Sequence, residues 1–275
     1  MLCTSTSRTD VGKVRQHNED ACLDRPDMGL WVVADGMGGH SAGDVASGMI
    51  VERLGALKPD RTLSHFVDQV ESTLEAVNRE LRQLAATREA STIGSTVAAL
   101  LVRDGHGVCV WAGDSRVYRV RGKQLEQVTH DHALVADLVD RGVLTAEQAA
   151  NHPQSNLVTR AVGAGEALKL DLEIVELADG DRFVLCSDGL DKEVEEEEIR
   201  KLALDDSGLD LADALVELAL SRGSRDNVTV VAVQVRDDGS ADAGTPDGMV
   251  HIADSEETVP GFTAGKAGKD TPGNE

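Results

Sequence analysis

The chain has 275 residues, with 49 acidic and 27 basic side chains for a net charge of −22, and 41% of its residues are hydrophobic. That apolar content supports a real core and excludes global disorder. The acidic surface disfavours nucleic-acid backbones and anionic membranes, and it attracts divalent cations instead.

The first 30 residues do not pair a basic start with a long apolar stretch, so no signal peptide is expected, and the longest apolar runs, such as Val97 to Val102, are too short to cross a bilayer. Cys3, Cys22, Cys109 and Cys186 are widely spaced without a CxxC pair, the pattern of reduced, mostly buried thiols. A cytoplasmic protein is therefore expected.

In chain order, Val-, Leu- and Ile-rich runs bounded by Gly or Asp predict strands at Cys3–Asp10, Ala21–Arg25 and Leu30–Ala34. Apolar residues every three or four positions then predict helices over Ser41–Leu57 and Arg61–Arg88. Further strands are expected at Ser95–Val102, Gly107–Ala112, Arg116–Arg121, Lys169–Leu177, Arg182–Ser187 and Val228–Val235. Between them, Asp131–Ala150 reads as short helix, Asn151–Ala161 as loop, and Glu195–Leu204 and Leu209–Arg222 as helices. Hairpins with paired helices do not suit a regular βαβ alternation. They predict an α+β fold, an α-β-β-α sandwich with two central antiparallel sheets flanked by helices.

Residues 1–236 form the expected folded domain. The segment 237–275 holds nine acidic residues, two lysines, seven glycines and three prolines, and is expected to be a disordered acidic tail. Ser255 and Thr258 place hydroxyls among acids there, as a phosphorylation or docking site or, more simply, in a solubilising extension.

Five acids fall at strand ends. Asp35 follows a strand directly, as does Asp188; Asp114 sits in the Ala-Gly-Asp-Ser-Arg turn; Asp20 and Asp226 just precede strands. In antiparallel sheets one strand's end lies beside its neighbour's beginning, so all five can share one edge. Each alone reads more simply as a turn or cap residue, and the case rests on the set. Such a cluster repels itself unless cations neutralise it, and hard oxygen donors select Mg²⁺ or Mn²⁺ over Zn²⁺. Two such ions can activate water for attack on phosphorus. In Asp35-Gly36-Met37-Gly38-Gly39 the glycines permit a sharp turn and expose a carbonyl to a cation, although an ordinary glycine-rich connector has the same composition.

Taken in order, the motifs over residues 5–235 resemble the metal-dependent serine/threonine protein phosphatases of type 2C in their bacterial form. They are Gly12-Lys13-Val14-Arg15-Gln16-His17-Asn18-Glu19-Asp20, the Asp35-Gly36-Met37-Gly38-Gly39 stretch, Gly94-Ser95-Thr96, Gly113-Asp114-Ser115-Arg116, Ser187-Asp188-Gly189 and Ser224-Arg225-Asp226-Asn227-Val228-Thr229. The resemblance implies that Asp35 bridges two metals, with Asp20 and the Gly36 carbonyl completing their shells. Asp188 and Asp226 bind the same centre, Glu19 holds a metal-bound water, and Asp114 with Asp188 holds a third, weaker ion. Arg15 takes the phosphate-gripping position. Catalysis then falls to Arg15, Asp35, Asp188 and Asp226, with two or three Mn²⁺ or Mg²⁺ ions. Met37 stands where animal members carry a histidine proposed as general acid, so the leaving oxygen is protonated otherwise, a metal-bound water being one candidate. Nearby His40 reads as structural. The segment 131–161 corresponds to the family's flap.

The implied activity is hydrolysis of phosphoserine and phosphothreonine in proteins, opposing a bacterial serine/threonine kinase, by a monomer acting in signal transduction. A dedicated phosphatase of one regulator, such as an anti-sigma antagonist, and a non-catalytic phosphoprotein-binding sensor are the competing readings. His130-Asp131-His132 as a metal pair is disfavoured because it opens an expected helix, with Thr129 or Asp131 as cap.

Overall fold

A computed structural model describes residues 1–38, 42–58, 62–88, 92–205 and 208–237. The expected tail beyond Asp237, with Ser255 and Thr258, lies outside the described residues, as do Gly39 and His40.

Among the described residues, eleven strands build two antiparallel sheets. One has the order β1 (Leu2–Asp10), β11 (Val228–Arg236), β10 (Arg182–Cys186), β7 (Arg116–Arg121), β8 (Gln124–Gln127). The other runs β2 (Asp20–Arg25), β3 (Leu30–Gly38), β5 (Val97–Arg103), β6 (His106–Ala112), β9 (Asp171–Glu176), with β4 (Ile93–Ser95) pairing the end of β3. Helices α1 (Gly43–Gly55) and α2 (Leu63–Thr87) pack on the second sheet; α5 (Asp188–Asp191), α6 (Glu196–Ala203) and α7 (Leu211–Ser221) pack on the first. The α-β-β-α sandwich expected from the sequence is the observed fold.

The central strands are apolar throughout because both of their faces are covered. Along β3, Leu30, Val32 and Ala34 face the α1/α2 layer, while Trp31 and Val33 point between the sheets. Along β10, Phe183 and Leu185 enter the intersheet core, and Val184 and Cys186 meet α7. This is the two-residue period of a strand with no polar face left over. On α2, Phe66, Val70, Leu74, Val77 and Leu81 are buried in a single stripe. Each contributes about 1.5–3 kcal/mol by burial. Thr62 caps this helix, its side chain accepting from the His65 amide.

Four local expectations need correction. Strand β3 does not stop at Ala34 but runs through Gly38, because β4 pairs with its last three residues; Asp35 and Gly36 are therefore within a strand, not in a connector. The expected strand at Ser95–Val102 is two strands, split at Thr96. Expected helix 131–150 is two short helices, α3 (Leu134–Asp140) and α4 (Ala146–Ala150), separated by a turn at Gly142 with φ of +68°. Strand β8 was missed, its Gln-Leu-Glu-Gln sequence carrying little strand signal, as was the single turn α5.

All four cysteines are free thiols, with Cys109 and Cys186 buried and Cys3 and Cys22 half-buried. Among the described residues no helix is long and apolar enough to cross a membrane.

Candidate active site

The antiparallel pairing of β2 with β3 sets Asp20 directly opposite Asp35. Asp35 is locked by its backbone: its amide donates to Thr96 Oγ1 at 3.0 Å, and its carbonyl accepts from the Thr96 amide at 2.9 Å. The Thr96 hydroxyl in turn lies 2.7 Å from Ser115 Oγ. Next in the chain, Gly36 donates its amide to the Glu19 carbonyl at 3.0 Å. A Cβ at Gly36 would stand 2.1 Å from the Gly43 carbonyl oxygen and 2.5 Å from that of Glu19, so only glycine lets three chain segments meet here.

From the other sheet, Ser187 and Thr229 reach across to Asp20. Their hydroxyls each donate to Asp20 Oδ2 at 2.7 Å, while Asp20 Oδ1 is buried without a partner. Asp188 begins α5, one residue after β10; one of its oxygens pairs with Lys192 and the other is buried without a partner. The helix turn can lie close to the 226–228 segment because residue 189 lacks a side chain: a Cβ there would stand 1.9 Å from the Asn227 carbonyl oxygen. Asp226 precedes β11 and receives Arg15 on both oxygens, Nε to Oδ1 and NH2 to Oδ2, each at 3.0 Å. Asp114 sits in the β6–β7 turn behind Gly113, whose φ is +120°. Glu19 Oε1 accepts from the Gly43 amide at 3.3 Å.

A cleft of about 300 Å³ is lined by Arg15, Glu19, Asp35, Gly36, Asp114, Asp188 and Asp226, with Met37, Lys192, Asn156 and Val158. Seven of the eight residues singled out from the sequence share this wall. The eighth, Asp20, is 8% exposed and sits opposite Asp35 on the neighbouring strand.

The cluster is electrostatically strained. Burial, followed by the charges of Asp20, Asp188, Asp114 and Asp226, pushes the Asp35 carboxyl well above its ordinary range. Burial raises Asp20 to about 7 against the opposing hydrogen bonds from Ser187 and Thr229, with Asp188 and Asp226 adding to the rise. Burial and then Asp188 raise Asp114 to about 7.

Oxygen donors alone, two of them buried and unsatisfied, suit a hard divalent cation. Among the described residues no group of three His, Cys, Asp or Glu side chains is set to grip a single ion. Asp188 and Asp226 are turned instead toward Lys192 and Arg15. Magnesium-like ions need only one or two carboxylates each, with carbonyl and water oxygens for the rest, so the donor set fits.

Several functional side chains escaped the sequence reading although their motifs were noticed. Asn227 clamps the segment before Asp20: its Oδ1 accepts from the Glu19 amide at 2.8 Å, and its Nδ2 donates to the Val11 and His17 carbonyls at 2.9 and 3.0 Å. Thr96 holds the Asp35 backbone while Ser187, Thr229 and Lys192 contact carboxylates, and nothing in their identity alone distinguishes this from ordinary turn duty. The His130-Asp131-His132 stretch does not cap α3, and its two histidines face different carboxylates, His130 meeting Asp140 and His132 meeting Asp171. Ala133 occupies the cap position, Thr129 Oγ1 accepts from the Val117 amide, and Asp131 takes Arg116. His132 is buried, accepts from the Gly113 amide at 3.1 Å through Nδ1 and meets Asp171 through Nε2 at 3.0 Å, bracing the Asp114 turn.

Residues 9–223 match the family model described as Protein phosphatase 2C. Protein phosphatase PhpP of Streptococcus pneumoniae is 35% identical over 237 residues, covering 84% of this chain and 96% of that protein. The structure of PppA, described as a key regulatory component of T6SS in Pseudomonas aeruginosa, superposes with a TM-score of 0.80 at 42% identity, covering 85% of this chain and 98% of that one. The catalytic domain of serine/threonine protein phosphatase PstP, solved in complex with two manganese ions, gives a TM-score of 0.77 at 34% identity over 86% of this chain and 99% of that one.

Proposed function

The chain belongs to the protein phosphatase 2C family, and we infer from that premise that it is a metal-dependent protein-serine/threonine phosphatase whose ions are held in the carboxylate cleft. The observation that carries the reading is the convergence on one cleft of Asp35, Asp114, Asp188 and Asp226 from four separate chain segments, with the Gly36 backbone among them. Asp20, Asp35, Asp188 and Asp226 with the Gly36 carbonyl would hold two Mn²⁺ or Mg²⁺ ions; Asp114 with Asp188 would hold a third. When bound, the ions neutralise the carboxylates and supply Lewis-acid activation of water and of the phosphoryl group.

The chain's own groups do the rest. Arg15 places a planar guanidinium at the cleft mouth, the fork that fits two phosphate oxygens. It is already oriented by Asp226, so less side-chain freedom is lost when phosphate arrives. Burial opposes the charge on Lys192, but Asp188 outweighs it and raises the ammonium above its usual range. In the metal-free protein Lys192 is thus a positive charge on the cleft wall, paired with Asp188. Glu19, anchored by the Gly43 amide and Asn227, presents a carboxylate for orienting a water. No histidine lines the cleft among the described residues, and the Met37 thioether has no proton to give.

The substrates in this reading are phosphoproteins made by a bacterial serine/threonine kinase. The four free thiols are consistent with action in the reducing cytoplasm. Residues 1–236 carry the activity, with 131–161 as flap and 237–275 as a dispensable acidic tail. Phosphate release from several unrelated phosphoserine and phosphothreonine peptides, with Mn²⁺, Mg²⁺ or EDTA, tests this. Release with either metal and none in EDTA is expected. Activity on one peptide alone would restore the dedicated-regulator reading, and none with metal bound would restore the sensor.

A further inference from the structure

A second groove, of about 520 Å³, opens beside the carboxylate cleft and shares Arg15, Lys192 and Asp226 with it. Val14, Glu193 and Arg225 extend it away from the carboxylates. In this wall Arg15 is occupied by Asp226, and Lys192 by Asp188. Arg225 differs. It is exposed, and it makes no hydrogen bond or ion pair with any other described residue. Other exposed arginines of the chain also lack a carboxylate partner, but this one lines the groove beside the proposed phosphate site.

Its backbone is held on both sides. Ser224 is fully buried, its carbonyl accepts from the Lys13 amide at 2.8 Å, and its own amide donates to the Ala219 carbonyl at 3.2 Å. On the other side the Asp226 carbonyl packs so closely on Gly12 that a Cβ there would approach to 2.1 Å. The Arg225 stem is thus fixed one residue from Asp226, and only the side chain is free to adapt. An extended peptide advances about 3.3 Å per residue, so a substrate with its phosphate against Arg15 brings its near neighbours within reach of this guanidinium. Val14, 59% exposed, offers apolar contact along the same path. Glu193 is the groove's other charge without a side-chain ion pair among the described residues.

We propose that Arg225 is a specificity-determining residue that takes an anionic group, a carboxylate or a second phosphate, placed one to three residues from the scissile phosphoserine or phosphothreonine. The proposal rests on the phosphatase reading and names the substrate class of that same site. A guanidinium–carboxylate or guanidinium–phosphate hydrogen bond is charge-assisted and geometrically matched.

The test compares phosphothreonine peptides with neutral flanks against peptides carrying one Glu, one Lys or a second phosphothreonine at each position from −3 to +3. Wild type is measured beside Arg225→Gln, Arg225→Lys and Arg225→Glu, all with saturating Mn²⁺. Wild type should favour an anion at one or two positions by about 10-fold in kcat/KM, carried by KM. That ratio should fall to near one in R225Q, be partly retained in R225K, and turn toward Lys-flanked peptides in R225E. The Glu and second-phosphate arms distinguish the two sources of charge. A flat ratio in wild type with robust release, or one unchanged in R225Q, overturns this inference alone. No metal-dependent release from any peptide by wild type overturns it together with the phosphatase reading.

Discussion

Asp20 and Asp35 face each other directly across the β2–β3 ladder, a buried and a half-buried carboxylate in one cross-strand pair. Like charges so placed destabilise a sheet, and burial adds to the cost. The fold tolerates the pair because Ser187 and Thr229 from the opposite sheet donate to Asp20. A divalent cation completes the neutralisation in the phosphatase reading.

Relieving that opposition should stabilise the metal-free protein. Asp35→Asn keeps the shape and removes one charge, and at pH 7.5 in EDTA it should gain about 1 kcal/mol, a rise of about 2–4 °C in Tm. Phosphatase activity should be lost in the same variant. Thermal unfolding checks the first outcome and phosphate release the second; a metal-free variant less stable than wild type would argue against the strain.

The pH dependence follows from the raised carboxyls. Asp20, Asp114 and Asp191 each sit at about 7, mainly through burial, with Arg116 opposing the rise at Asp191, and Asp35 is raised as well. The folded state therefore holds these protons more tightly than the unfolded chain does. Their contribution is fully present below about pH 4 and is lost as pH climbs through about 7. Carboxyls lowered by arginine partners, such as Glu197 at about 2, act with the opposite sign but only below the unfolded value of 4.5. His132, lowered by burial, opposes the trend as a single group below about 6.5. In EDTA, stability by urea unfolding should fall between pH 4.5 and 7, and Asp35→Asn should flatten the slope. A rise with pH over that window would contradict the assignment.

Asn227 should matter without touching a reacting atom. Its side chain holds the Glu19 amide and two carbonyls, so Asn227→Ala leaves buried polar groups without partners. A loss of about 1–3 kcal/mol is expected, together with Mn²⁺ affinity about 10–100-fold weaker. Unfolding and metal titration read the two effects separately.

Removing residues 237–275 should leave peptide-phosphatase activity unchanged if residues 1–236 carry the function. A large loss would place the acidic segment in the site.

Much of this arrangement was legible in the sequence for a physical reason. Strands buried on both faces are written as continuous apolar runs, and acids at their ends, such as Asp188, Asp114 and Asp226, stand out against them. Residues acting through backbone geometry were less visible. That Asp35 lies inside β3 depends on β4 pairing with Gly36 to Gly38, a long-range contact that no local pattern reports. Asn227, Ser187 and Thr229 take their roles from a neighbouring sheet, and a hydroxyl or amide beside an aspartate looks the same in any turn. The spacing of His132 suits a metal ligand, but spacing shows chemistry and not direction; its ring is spent on Gly113 and Asp171.

The central claim, that these carboxylates jointly hold the ions that run the reaction, is tested most directly by titrating Mn²⁺ calorimetrically into wild type and Asp188→Ala while measuring phosphate release from one phosphothreonine peptide. At least two ions on wild type are expected, with binding and turnover falling together in the variant, turnover by more than about 100-fold, beyond what loss of a supporting contact costs. Wild-type binding and turnover in Asp188→Ala would contradict the claim.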